Sequence, residues 1–249
     1  MHVKDIKPDT GFKRFFVIGK YGTGKSVFAA SFPTPGFVFD FDFGIETYKG
    51  KDFEYEQYPL SRDGWIKFQK DSVEVKKRAK DGDFETIIAD STTSMTAMAM
   101  EQAMFLDQKR SPTGGPLWNV HYQMVRNLME GHLRQLTDLS QYANIVVIAH
   151  LQIVQDMESG AVVDIKPLLT GQLAEVIPGY FSEVYYATTN RKEGKTNWVM
   201  QTVPIGLKMA RSRMSGKDRL LDDYVPNDYT ELMKQLNARK DKDDAKTKK

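Results

Sequence analysis

Residues 17–30 read VIGKYGTGKSVFAA: an apolar run, a glycine-rich turn and the opening of a helix. Gly19, Gly24, Lys25 and Ser26 satisfy the spacing G-x-x-x-x-G-K-[ST], with Lys20, Tyr21, Gly22 and Thr23 filling the turn and Val27 following it. Glycines let successive backbone amides turn inward and form a concave nest for phosphate oxygens, and a helix N-terminus behind the nest favours negative charge. In this pattern the lysine reaches the β- and γ-phosphates and the hydroxyl ligates Mg²⁺. The alternative, a purely structural glycine turn, has to explain why a strand precedes the loop and a helix follows it. The stretch therefore predicts a nucleoside triphosphate site with Mg²⁺, ATP and GTP being equally compatible with the motif, and a parallel α/β sheet to carry it.

A bound Mg²⁺ calls for a carboxylate at the end of a neighbouring buried strand. TIIADS supplies Asp90 after Ile87, Ile88 and Ala89, with Ser91 free to cap the next helix in its place. Hydrolysis also needs a group that orients or deprotonates water. Asp40 and Asp42 in FVFDFDFG are two apart and predict carboxylates on one side of the second strand. Asp42, nearer the strand's end, is the candidate base, a solvating loop carboxylate is the alternative reading, and Glu46 stands in reserve.

The rest of the chain alternates strand and helix as far as NIVVIA (residues 144–149), a nearly continuous apolar run of the kind found inside a parallel sheet. FEYEQYPL predicts an edge strand, residues 62–80 a charged helix, and 91–107 a Met-rich helix whose methionines fill core or an adaptable contact. DQKRSPTGGPLW cannot continue a helix through its prolines and glycines. Val125, Leu128, Met129, His132, Leu133 and Leu136 then mark one apolar helix face, with His132 as packing. Beyond His150 the period changes, and two hairpins are expected, turning near Gly160 and Gly194. The predicted architecture is an α/β core, mostly parallel, with antiparallel strands appended on the C-terminal side. Residues 11–237 form that single core, 1–10 a short arm, and 238–249 a charged disordered tail.

Composition narrows the partners. The 249 residues include no cysteine, which excludes disulfides and thiolate zinc, and the four histidines do not fall at metal-ligand spacing. No apolar run approaches a membrane span, and the start of the chain lacks a signal-peptide core, so a cytoplasmic setting is expected. The net charge is +2, while ARKDKDDAKTKK alone holds six Lys/Arg against three Asp, leaving the body near −1. Any nucleic-acid contact has to be local, made by loops or tail.

Taken together these marks resemble the RecA-like P-loop ATPases, and within them the phage nucleotide-binding family of single-strand annealing recombination proteins, over roughly residues 11–236. The resemblance implies that Asp42 orients the attacking water, although the family more often has a glutamate there. It implies that His150, at the end of VVIAH, senses the γ-phosphate in place of the amide found in RecA proteins themselves. It places single-stranded DNA on two loops, where Lys109, Arg110 and Trp118 occupy the first and Lys166 is the basic residue of the second. It assigns Lys208, Arg211 and Arg213 to a neighbouring subunit's γ-phosphate, which implies a homo-oligomer, ring or filament. A single-stranded-DNA-binding protein is a further implied partner, and host cytoplasm the implied location if the chain is phage-encoded. The competing readings are a P-loop phosphotransferase, a motor, and a nucleotide-switched scaffold that hydrolyses little.

Overall fold

Burial explains the middle of the sheet. In the computed structural model, which describes residues 13–192, 194–215 and 220–247, β1 (Arg14–Gly19), β4 (Thr86–Asp90) and the first half of β5 (Asn144–Gln155) are buried almost throughout. A strand covered on both faces must be apolar on both, and these are the runs with no polar alternation. β5 lies between β1 and β4, with β2 (Gly36–Asp40) and β3 (Phe53–Gln57) beyond β4. All five run parallel, so their C-terminal ends meet at one edge. On the other side of β1, β7 (Glu183–Lys192) is also parallel. β8 (Lys195–Gln201), β9 (Arg211–Ser212) and β10 (Tyr224–Pro226) then add antiparallel pairings. β6 (Val162–Pro167) pairs with the second half of β5.

Helices cover both faces. Phe16, Ile18, Phe39, Ile87 and Val147 pack against α2 (Arg62–Asp81), α3 (Thr92–Leu106), α4 (His121–Asp138) and the single turn α5 (Leu173–Val176). Phe15, Val17, Val38, Ile88 and Ile148 pack on the opposite face with α1 (Lys25–Ala29) and α6 (Tyr229–Thr247). Each such side chain, taken wholly out of water, contributes about 1.5–3 kcal/mol. Local chemistry sets the ends of α2: the Ser61 hydroxyl accepts from Gly64 N at 3.1 Å, and Gly82 closes the helix at φ 89°. The fold is therefore mixed α/β, a mostly parallel central sheet flanked by helices with antiparallel strands toward the C-terminus. Among the described residues no helix is long and apolar enough to cross a membrane.

The structure departs from the sequence expectations in four places. NIVVIA and the following hairpin strand are one twelve-residue strand, since β5 runs through His150 and out past the sheet edge, where β6 supplies new partners. The sequence sets the end of the helix after the phosphate loop at Phe32, before Pro33, yet it ends at Ala29. β2 stops at Asp40, so Asp42 sits in the loop beyond it and not on a strand face. Finally, α6 continues to Thr247, into the tail expected to be disordered. An anchored helix propagates at one hydrogen bond per residue fixed, and the Ala, Lys and Arg of this run are good helix formers. The expected arm at residues 1–10 lies outside the described residues.

Candidate functional site

The phosphate loop spans Lys20–Gly24 between β1 and α1. Gly24 adopts φ 82°, a left-handed conformation that disfavours side chains, and a Cβ there would stand 2.2 Å from Asn227 Nδ2. The Lys20 carbonyl accepts from Thr23 Oγ1 at 2.7 Å and from Lys25 Nζ at 2.9 Å, which holds the ammonium over the loop. Lys25 is only 6% exposed. Burial pulls its pKa below the ordinary lysine value, and the negative charges of Asp90 and Asp42 oppose that shift. Gly19 ends β1, Ser26 and Val27 open α1, and Lys25, Ser26, Val27, Tyr21, Gly22 and Gly24 all line one cavity of about 800 Å³.

Asp90 ends β4 inside that cavity, 6% exposed. It accepts from Tyr48 Oη at 3.0 Å, and burial pushes its carboxyl above the ordinary value while hydrogen bonds from Ser26 and Tyr48 pull the other way. A buried carboxylate beside a serine hydroxyl is a hard-oxygen donor set that suits Mg²⁺. Among the described residues no group of three or more His, Asp or Glu could hold a metal alone. Ser91 starts α3 with no capping bond from its side chain.

Asp42 and His150 meet across the cavity: His150 Nε2 stands 3.1 Å from Asp42 Oδ2. Burial would raise the Asp42 carboxyl, yet the His150 imidazole at 3.1 Å, with the Ser94 and Ser91 hydroxyls nearby, outweighs it and holds the group below its ordinary value. The expectation that Asp40 and Asp42 share a strand face is corrected. Asp40 instead accepts from Gly44 N at 3.0 Å, Asp42 N at 3.3 Å and Gln57 Nε2 at 2.9 Å. It therefore bends the chain and presents Asp42 to the cavity. The exposed Tyr21 ring lies 4.3 Å from the His150 ring, tilted by 32°.

The two loops expected to meet nucleic acid contribute unequally. Trp118 and Lys166 line a second groove of about 530 Å³, together with Tyr122, Gln123, Arg126 and Gln172. Trp118 is 68% exposed, with its ring 4.6 Å from that of Tyr122. Lys109 and Arg110 do not line it. The Arg110 guanidinium donates to the carbonyls of Met104, Asp107 and Lys109, which caps the end of α3, a chemical need that outcompetes an outward reach. His121 clasps the loop: Nδ1 accepts from Leu117 N at 2.7 Å, which puts the proton on Nε2 to donate to the Asp107 carbonyl at 2.8 Å.

The basic set at 208–213 is also divided. Arg211 is corrected as a group that reaches outward: its Nη2 donates to the carbonyls of Pro178 (3.0 Å) and Phe181 (2.5 Å). Its partner Val184 registers with Phe16, so β9 lies toward the sheet edge opposite the phosphate loop. Glu183, paired with Phe15, is four residues from the level of Gly19, about 13 Å at strand rise. Arg213 is exposed at the same end, and its amide donates to Glu183 Oε1. Lys208 stands over the Tyr186 ring at 5.0 Å and bridges to Ile165 beside β6.

Several residues of the site carry no signal in the sequence. Trp198 on β8 donates from Nε1 to the Gly22 carbonyl at 2.9 Å, and Asn227 Nδ2 donates to the Gly24 carbonyl at 3.1 Å. Both reach the loop from 176 and 203 residues away in the chain. Tyr48 and Tyr122 likewise have no motif around them.

No curated protein matches the chain. Solved structures with similar folds include a KaiC-like protein from the hyperthermophilic archaeon Pyrococcus horikoshii OT3, at 12% identity and TM-score 0.42, covering 80% of this chain and 81% of that one. The flagellar accessory protein FlaH from Methanocaldococcus jannaschii aligns at 9% identity and TM-score 0.35, covering 76% of each chain. A family model described as AAA domain matches residues 12–219. The chain belongs to that AAA domain family.

Proposed function

We propose that this protein binds and hydrolyses ATP and uses the nucleotide state to control single-stranded DNA in the Trp118–Lys166 groove, acting as an oligomer in strand annealing. The observation that carries the reading is the continuity of β5: the strand that presents His150 to the phosphate cavity also frames the hairpin that brings Lys166 to the groove. A base has an aromatic face to stack on at Trp118, and its backbone has Lys166 and Arg126 nearby, an arrangement that binds single strands with little sequence preference. The body's near-neutral charge makes one such groove weak, which favours repetition along the strand by several subunits. Exposed Arg213 and half-buried Lys208 are the basic residues left to meet a neighbouring subunit. These features support membership of the phage nucleotide-binding and annealing branch.

In this reading the loop amides and Lys25 hold the triphosphate and neutralise charge that develops on it. Ser26 and Asp90 would hold Mg²⁺, which supplies Lewis-acid polarisation of the phosphate oxygens when bound. Asp42, kept ionised by its hydrogen bonds, accepts a proton from or orients the attacking water, and His150 fixes that carboxylate and contacts the γ-phosphate. Steady-state ATP hydrolysis with and without a single-stranded oligonucleotide tests the coupling. Stimulation that disappears in Trp118→Ala is the expected result, whereas a rate indifferent to DNA favours the scaffold reading.

A further inference from the structure

The phosphate cavity has two chemically different ends. Lys25, Asp42, Asp90 and His150 hold the charged end, and they account for what a triphosphate and a metal require. The other end is lined by Val27, Thr196, Asn197, Trp198, Asn227 and Asp228, with no cation among them. The indole of Trp198 is 49% exposed although its N–H is engaged by the loop, so part of its π surface faces the cavity. Val27, the residue after the metal-ligand serine, is 53% exposed beside it. Asn227 is anchored through Nδ2 on the Gly24 carbonyl, which settles its amide orientation. That leaves its Oδ1 buried with no hydrogen-bond partner among the described residues. A buried acceptor left unpaired costs free energy until a donor arrives.

Resting on the reading of this cavity as a triphosphate site, we infer that Trp198 and Asn227 form the nucleoside subsite. The indole stacks on the base, and Asn227 Oδ1 accepts a hydrogen bond from a nucleoside donor, either the exocyclic amine of the base or a ribose hydroxyl. Trp198 and Asn227 converge because Gly24 has no side chain, as a Cβ there would meet both, at 3.3 Å and 2.2 Å. The loop's last glycine thus serves two purposes: it makes the phosphate nest and it lets the appended C-terminal strands close over the nucleoside. In consequence, the antiparallel strands do more than extend the sheet, since they carry the selectivity of the site.

Calorimetric titration of the full chain separates this from the triphosphate reading. The ligands are ATP, its 2′-deoxy form, purine riboside triphosphate (which lacks the amine) and inorganic tripolyphosphate, all with Mg²⁺. Trp198→Ala is expected to weaken ATP about tenfold or more, a typical loss for one aromatic stack, while changing tripolyphosphate by less than twofold. Trp198→Phe keeps a ring without the N–H and is expected to retain most of the ATP affinity. One of the two analogues lacking a donor is expected to bind several-fold more weakly than ATP, and which one identifies the group that Asn227 receives. Equal losses for ATP and tripolyphosphate in Trp198→Ala would overturn the stacking role and leave Trp198 as a prop for the loop. Equal affinity for ATP and both analogues would overturn the role of Asn227. Failure of the wild-type chain to bind tripolyphosphate and ATP alike would instead overturn the triphosphate site itself.

Discussion

The phosphate cavity and the Trp118–Lys166 groove are built in opposite ways. At the phosphate end, charged groups are buried: Lys25 and Asp90 are each 6% exposed, and desolvation pushes the first pKa down and the second up. Such groups are held in place by one another and by backbone, so the geometry is ready before a ligand arrives. In the groove the principal aromatic is mostly in water, and its basic neighbours Arg126 and Lys166 lie on the groove wall, not in a buried cluster of charges. A site made for one small, highly charged ligand needs preorganisation. One that grips a long, flexible strand gains from weak contacts repeated many times. The difference teaches where substitutions should be severe and where they should be graded.

The largest effect is expected at the buried end. Lys25→Ala should lower ATP turnover about 100-fold or more, because it removes charge stabilisation that no neighbour replaces, and should abolish the rise in Tm on adding ATP·Mg²⁺. Unchanged turnover would break the comparison at its stronger side. Asp42→Asn comes next. It should reduce turnover about 100-fold, as loss of a positioned base does, with nucleotide affinity within threefold. A parallel loss of affinity, read by calorimetry, would make Asp42 a binding group.

In the groove, Trp118→Ala should weaken single-stranded DNA about tenfold, within the range of one stacked base, with Trp118→Phe recovering most of it. Full affinity in the alanine variant would remove the groove from the account. Arg211→Ala probes a residue the structure takes out of the site. Losing its two backbone hydrogen bonds should cost about 2 kcal/mol in chemical denaturation, with turnover per folded molecule unchanged. Unaltered stability with lost turnover would restore it as a trans-acting group.

The smallest effect concerns His132, packed against Trp65 and Phe68 at ring distances of 5.1 Å. Burial lowers its pKa below the ordinary 6.5. The unfolded chain therefore binds the proton first, and stability contributed by neutral His132 is complete above pH 6.5 and declines as pH falls from there toward the folded pKa. Thermal melts should show an acid decline that His132→Leu reduces, and identical profiles for the two proteins would contradict this.

How much of this was legible in the sequence follows from how far apart the interacting residues lie. The loop from Gly19 to Ser26 is contiguous, so its motif is complete on the line. Asp90 and His150 were legible for a second reason: parallel buried strands bring their C-terminal ends to one edge, so the polar residue ending each apolar run marks that edge. Asp42 lines the cavity, but not by the strand-face geometry its spacing from Asp40 implies, because the Asp40 carboxylate ends the strand by taking the amides of Asp42 and Gly44. Arg110 and Arg211 read as free cations, since nothing local foretells which carbonyls a guanidinium will cap. Trp198 and Asn227 were invisible. Their roles depend on β7 pairing beside β1, a contact between strands more than 160 residues apart that leaves no trace in periodicity.

The most direct test of coupling between the two regions is fluorescence anisotropy of a labelled single-stranded oligonucleotide. The full chain is titrated without nucleotide, with ADP·Mg²⁺ and with a slowly hydrolysed ATP analogue, each at two salt concentrations. Salt-sensitive binding that tightens with the analogue is predicted. Absence of binding in every state, in protein shown to hold nucleotide, would contradict the account.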